Sequence, residues 1–181
     1  MGIPTLISTS TASDSSSIDI TSGIDSTYDE YMFVLTDINP ATSLADFSFQ
    51  SSIDSGSSYG VTMTSTYFRA YHREDDGAAA LGYDTNRDIA QGTGYQELMS
   101  DLSADADSGS SGELHLFSPS TTTYVKHFYA RTSCSHLSSG NASARDIFIA
   151  GYFNDTNDID AIQFKMSSGN FDGVIQMYGI S

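Results

Sequence analysis

The chain has 181 residues and a mass of 19.4 kDa, enough for one ordinary domain. Hydrophobic residues make up 39% and aromatics 12%, which supports a real core and excludes wholesale disorder. Seven Lys and Arg stand against 23 Asp and Glu, a net charge of −16 that excludes a nucleic-acid surface and disfavours an anionic membrane, since both need clustered cations.

The acids are 19 Asp to 4 Glu, and good helix formers are scarce, so a helical bundle is not expected. Residues 1–27 are rich in Ser and Thr. Within them residues 17–21 (SIDIT) alternate like one short strand. The segment before reads as an extended arm with an apolar tip of Ile3, Pro4, Leu6 and Ile7. Residues 28–181 read as a single domain. Residues 30–38 (EYMFVLTDI) form a nearly continuous apolar run, as a buried central strand does, and Asn39-Pro40 ends it. Residues 45–53 alternate around Phe47 and Phe49, and 54–58 make a turn. Residues 61–72 (VTMTSTYFRAYH) are the longest β pattern.

Residues 73–94 read as a long loop with at most one helical turn, and 95–102 as a short helix or an irregular strand. A loop at 103–112 leads to strands at 113–117 and 124–132, joined as a hairpin through Ser118-Pro119. A Ser/Gly/Asn loop covers 133–144. Three more strands follow at 146–153, 161–167 and 173–178. This gives eight to ten short strands, without alternating βα units or internal repeats. The expected class is all-β: an antiparallel β-sandwich, jelly-roll-like, with the N-terminal arm attached.

Several motifs carry possible chemistry. Gly56-Ser57-Ser58-Tyr59-Gly60 matches the nucleophile-elbow pattern, but a β pattern follows it where a helix is required, so a turn is expected. The stretch from Asp105 to Gly109 opens like a calcium loop and then departs from it. Asn154, Asp155, Asn157, Asp158 and Asp160 concentrate side-chain oxygens in one turn, a weak candidate for calcium. His72, His115, His127 and His136 form no metal-binding spacing. His72-Arg73-Glu74-Asp75-Asp76, near Tyr67 and Tyr71, is a charge cluster in which a glycosidase pair is conceivable, although adjacent acids rarely flank a substrate from opposed sides. Cys134 is alone, which excludes an intrachain disulfide. The N-terminus lacks a basic region followed by an apolar one, so synthesis in a cytoplasm without a secretory signal is expected. No catalytic residue and no cofactor is assigned.

Three stretches carry a resemblance. They are residues 2–13 (GIPTLISTSTAS), 25–33 (DSTYDEYMF) and 168–180 (SGNFDGVIQMYGI). The chain resembles a group of small structural proteins of tailed bacteriophages, many of the marine-phage type, whose C-terminus reads like G-x-I-x-L-Y-G-I; Met177 stands here in place of Leu. Residues 68–72 (FRAYH) and 115–120 (HLFSPS) are similar as well. The resemblance implies a β-sandwich protein of the virion, oligomeric and without enzymatic activity, with a trimer favoured. Its partners would be other virion proteins, the major capsid protein or tail proteins. A capsid decoration protein is the leading expectation, with the arm as its docking element. The alternative is a tail-fibre adhesin that recognises a host glycan through the loops at 73–94, 103–112 and 133–144.

Overall fold

The computed structural model describes residues 2–138 and 140–181. The described residues form twelve strands and no helix. They are β1 (Thr5–Ser15), β2 (Ser17–Ile20), β3 (Glu30–Pro40), β4 (Ala45–Ser52), β5 (Met63–Arg73), β6 (Ala79–Tyr83), β7 (Gln96–Leu102), β8 (Ser110–Phe117), β9 (Lys126–Ser138), β10 (Asn141–Phe153), β11 (Ala161–Met166) and β12 (Phe171–Ile180). Every pairing between strands is antiparallel.

The larger layer runs β6-β5-β10-β9-β8-β3-β12-β1, and the smaller runs β7-β4-β11-β2. The two join where Leu102 of β7 meets His136 of β9. The result is an all-β antiparallel sandwich, nearly closed like a barrel. Alternation explains the packing. Along β9 every second residue from Lys126 to His136 is buried while its neighbours face outward, as a half-buried strand requires. The core between the layers is aromatic: Phe49 meets Phe128 edge-on at 5.2 Å between ring centres, and Phe47 stacks on Phe164 at 5.9 Å. Each fully buried ring of this kind contributes roughly 1.5–3 kcal/mol through removal from water.

The expected central strand at 30–38 is β3, held between β12 and β8 with Tyr31, Phe33 and Leu35 buried. Three expectations change, and at 95–102 one of the two alternatives holds. Residues 5–15 are extended but belong to the sheet: β1 pairs with β12 from Thr5 opposite Gly179 to Ser15 opposite Phe171. β2, the short strand expected at 17–21, pairs with β11. Serine and threonine take strand geometry readily once a partner edge is present. Residues 95–102 resolve as strand β7. The long loop at 73–94 contains strand β6, paired with β5 from Phe68–Tyr83 to His72–Ala79. In the expected loop at 133–144, residues 133–138 are the end of β9 and 141–144 the start of β10, with residue 139 outside the described residues; the ladder is in unbroken register from Asn141–Ser138 to Phe153–Lys126.

The three stretches that carry the phage resemblance lie together. β1, β12 and β3 are neighbours, with Leu6 opposite Tyr178 and Tyr178 opposite Met32.

Candidate functional site

Strands β5, β9 and β10 are long, and β7 crosses beneath them at Ser100, which accepts hydrogen bonds from the Tyr67 hydroxyl (3.1 Å) and Arg145 Nη1 (2.6 Å). Before this crossing the inward face is core: Met63, Tyr67, Ile147 and Ile149 are buried. Past it, the same alternation presents Arg69, Tyr71 and Arg73 on β5, with Ser143 and Arg145 on β10 and His136 on β9. Register brings them side by side, since Arg145 lies opposite Tyr71 and Ser143 opposite both Arg73 and His136. Four of the five arginines of the chain therefore line one pair of adjoining depressions, the fourth being Arg87 from the segment between β6 and β7.

The two halves of this basin differ. Around Arg87 the charge is balanced by carboxylates. Its Nη1 donates to Asp46 (3.0 Å) and pairs with Glu97, its Nη2 donates to Asp101 (2.7 Å), and Asp84 lies 3.7 Å from Nε. Burial alone pulls the Arg87 pKa down, but Glu97, Asp101 and Asp46 outweigh it and hold the guanidinium charged. The hydrogen bond from His136 is the largest influence on Asp101; with Arg87 and Arg145 it overcomes burial and lowers the carboxyl to about 2. Burial, helped by Asp46, raises Glu97 despite Arg87.

The other half is lined by Arg69, Tyr71, Arg73, His136, Ser143 and Arg145 among others, and has no carboxylate in its wall. Arg69, Arg73 and Arg145 are held from outside it, by Asp84 (3.1 Å), by Asp75 and by Asp101 (3.3 Å). Arg145 is 6% exposed. Its Nη2 stands 2.5 Å from His136 Nε2, and His136 Nδ1 stands 2.8 Å from the Ser143 hydroxyl. Its Nε is buried without a hydrogen-bond partner among the described residues. Burial first, then the neighbouring Arg69 charge, push the Arg145 pKa down.

A second feature is the outer face of the larger layer. Rows across the strands read Tyr83, Phe68, Phe148, Arg131, Glu113, Val34 and then Tyr129, His115, Met32, Tyr178, Leu6. Phe68 stacks on Phe148 at 5.0 Å, Arg131 lies over Phe148 at 4.8 Å, and His115 stacks on Tyr129 at 4.5 Å. Phe68, Tyr83, Tyr129 and Leu6 are all at least 40% exposed.

The residues singled out from sequence are distributed elsewhere. Ser58 donates to Asp54 (2.6 Å) inside a turn, and the Ser58 and Ser52 hydrogen bonds lower Asp54 to about 2. In the 73–76 cluster, Arg73 pairs with Asp75, and His72 with Asp76 at 3.0 Å, so these acids engage their own neighbours. Asn39 Nδ2 donates to the carbonyls of Asp105 and Ser108. In the 154–160 turn, Asp155 accepts from the backbone and side chain of Asn157, Asn154 Nδ2 donates to Gln91, and Asp160 accepts from the backbone N–H of Ser55. The carbonyls of Asp155 and Asn157 receive the fully buried ammonium of Lys126. Among the described residues, no three His, Cys, Asp or Glu side chains gather as a metal site would. At the N-terminus, Ile3, Pro4 and Leu6 are exposed while Ile7 packs against the core. Cys134 is buried, and burial raises its thiol to about 12, leaving it protonated and inert at neutral pH.

Sequence reasoning did not find the basin, because its arginines are far apart in the chain. The local trace was Arg69 and Arg73 at alternate positions, on the same side of β5 as the buried Tyr67. No described protein family matches the chain, and no curated protein matches it significantly.

Proposed function

We propose that the protein is a non-enzymatic structural component of a tailed-bacteriophage particle, a decoration protein on the capsid exterior that assembles as a trimer. The observation that carries this reading is the aromatic outer face of the larger layer. Copies with a net charge of −16 repel one another over most of their surface. They meet most readily where acids are sparse, and the two rows named above carry only Glu113, with Glu30 bonded to His115 and Asp146 paired with Arg131 at their border. A face of exposed rings with one cation set between Glu113 and Asp146 suits contact between repeated copies. The exposed Ile3, Pro4 and Leu6, at the edge of the same layer, offer the contact to the major capsid protein. The segments that resemble phage structural proteins form this edge, which supports the same reading.

Light scattering on the purified protein, together with copy number in purified particles, tests it. The expected result is a trimer, with Phe68→Asp and Tyr129→Asp giving folded monomers and the particle carrying copies by the hundred. A monomer at every salt concentration, or absence from the particle, overturns it. A second reading, an adhesin of the tail fibre for a host glycan, is favoured by the carboxylate-free half of the arginine basin and predicts far fewer copies per particle.

A further inference from the structure

We propose that the carboxylate-free half of the basin binds an acidic sugar, an oxyanion carried on a hydroxyl-bearing ring. The proposal rests on the adhesin reading and names its ligand class; it is independent of the subunit contact.

The first argument is charge. In a chain with 23 acids, this depression has three guanidiniums and His136 in its wall, while the carboxylates that hold them, Asp84, Asp75 and Asp101, stand outside it; among the described residues its lining therefore offers donors and no carboxylate. In the Arg87 half, by contrast, four carboxylates surround a single arginine. The second argument is an unsatisfied donor. Arg145 is more than nine-tenths buried, borders Arg69, and keeps an Nε–H with no acceptor among the described residues. Buried donors are nearly always paired, and a planar guanidinium is suited to a carboxylate or sulfate. The third argument is size and lining. The depression holds about 360 Å³, at the small end for ligand sites, which admits a single ring more comfortably than a chain segment. Tyr71 supplies an aromatic face and a hydroxyl, and Ser138 adds another hydroxyl, as ring hydroxyls require.

The test is calorimetric titration of the full chain with glucuronate, glucose and inorganic sulfate at low and raised salt. The expected result is saturable glucuronate binding with a Kd on the order of 1 mM, weakened by salt, and no binding of glucose. Arg145→Gln risks the fold, so the variants are Arg69→Gln and Arg73→Gln, each weakening glucuronate about 10-fold while the far-ultraviolet circular dichroism shows the sheet retained. Four outcomes overturn the proposal: no saturation by glucuronate, equal affinity for glucose, sulfate as tight as glucuronate (an adventitious ion only), or both variants binding like the parent. A glycan array positive only for neutral sugars keeps the adhesin reading and removes this site.

Discussion

Lys126 lies at the start of β9 with no exposed surface, and its ammonium donates to the Asp155 and Asn157 carbonyls. Burial depresses its pKa against the pull of Asp155 and Asp158. The oxygen-rich turn thus has an internal cation directed at its backbone. Replacing Lys126 with Met keeps most of the volume but leaves two inward carbonyls without a donor. A loss of about 2–4 kcal/mol is expected in urea unfolding, and a loss below about 1 kcal/mol would show that the carbonyls find other donors. The sequence gives no sign of this role, because lysine defaults to solvent and nothing local marks Lys126 as different. The same holds for Arg145, whose surroundings come from β7 and β9. The Asp cluster at 154–160, by contrast, is plain in the sequence; what it touches is not.

At the scale of elements, the strands with clear alternation or a continuous apolar run were legible: β3, β4, β5, β8, β11 and β12. The missed ones are compositionally weak. β6 is Ala-Ala-Leu-Gly-Tyr, exposed along its whole length, and becomes a strand because β5 offers it an edge. The facing ends of β9 and β10 are rich in Ser and Ala, and their long ladder extends them almost to the turn. The C-terminal Tyr-Gly-Ile also acquires a physical reason. A Cβ on Gly179 would lie 2.2 Å from the ring of Tyr28, so the glycine is a seat for that ring, which in turn meets Tyr31 edge-on at 5.9 Å. Gly179→Ala is expected to displace Tyr28 and cost about 1–3 kcal/mol, read as a lowered melting temperature. If Tyr28→Ala alone is as destabilising and the double variant adds nothing further, the ring contact accounts for the effect.

For the whole molecule, the pH limits follow from groups the fold has shifted. Tyr31, Tyr59, Tyr67, Tyr95 and Tyr129 are raised chiefly by burial, and Tyr83 chiefly by its hydrogen bond to Asp88. A phenol that ionises later in the folded chain favours folding fully below its ordinary value of 10.0 and loses that contribution as pH rises through the folded value. Melting temperatures are therefore expected to fall steeply above about pH 10, with the last part of the tyrosinate absorbance appearing together with unfolding. Absorbance that is complete well before unfolding would contradict this. On the acid side, Asp25, Asp54, Asp75 and Asp101 are lowered, by hydrogen bonds in the first place, so their contribution holds above 3.8 and fades as pH falls below it, for Asp54 and Asp101 towards about 2.

The pairing of β1 with β12 has a consequence in time. The β9–β10 ladder closes between neighbours in the chain, whereas the bond from Asp14 N–H to Asp172 spans 158 positions. During synthesis β1 is complete long before its partner exists, and its inward Ile7 and Ala12 wait uncovered. Contacts so distant in sequence form late, after the rest of the sheet has taken shape. Until then the β12 edge of one chain is open to the β1 of another. Dilute, unhurried refolding favours self-closure, and crowded refolding favours exchange of that strand between chains.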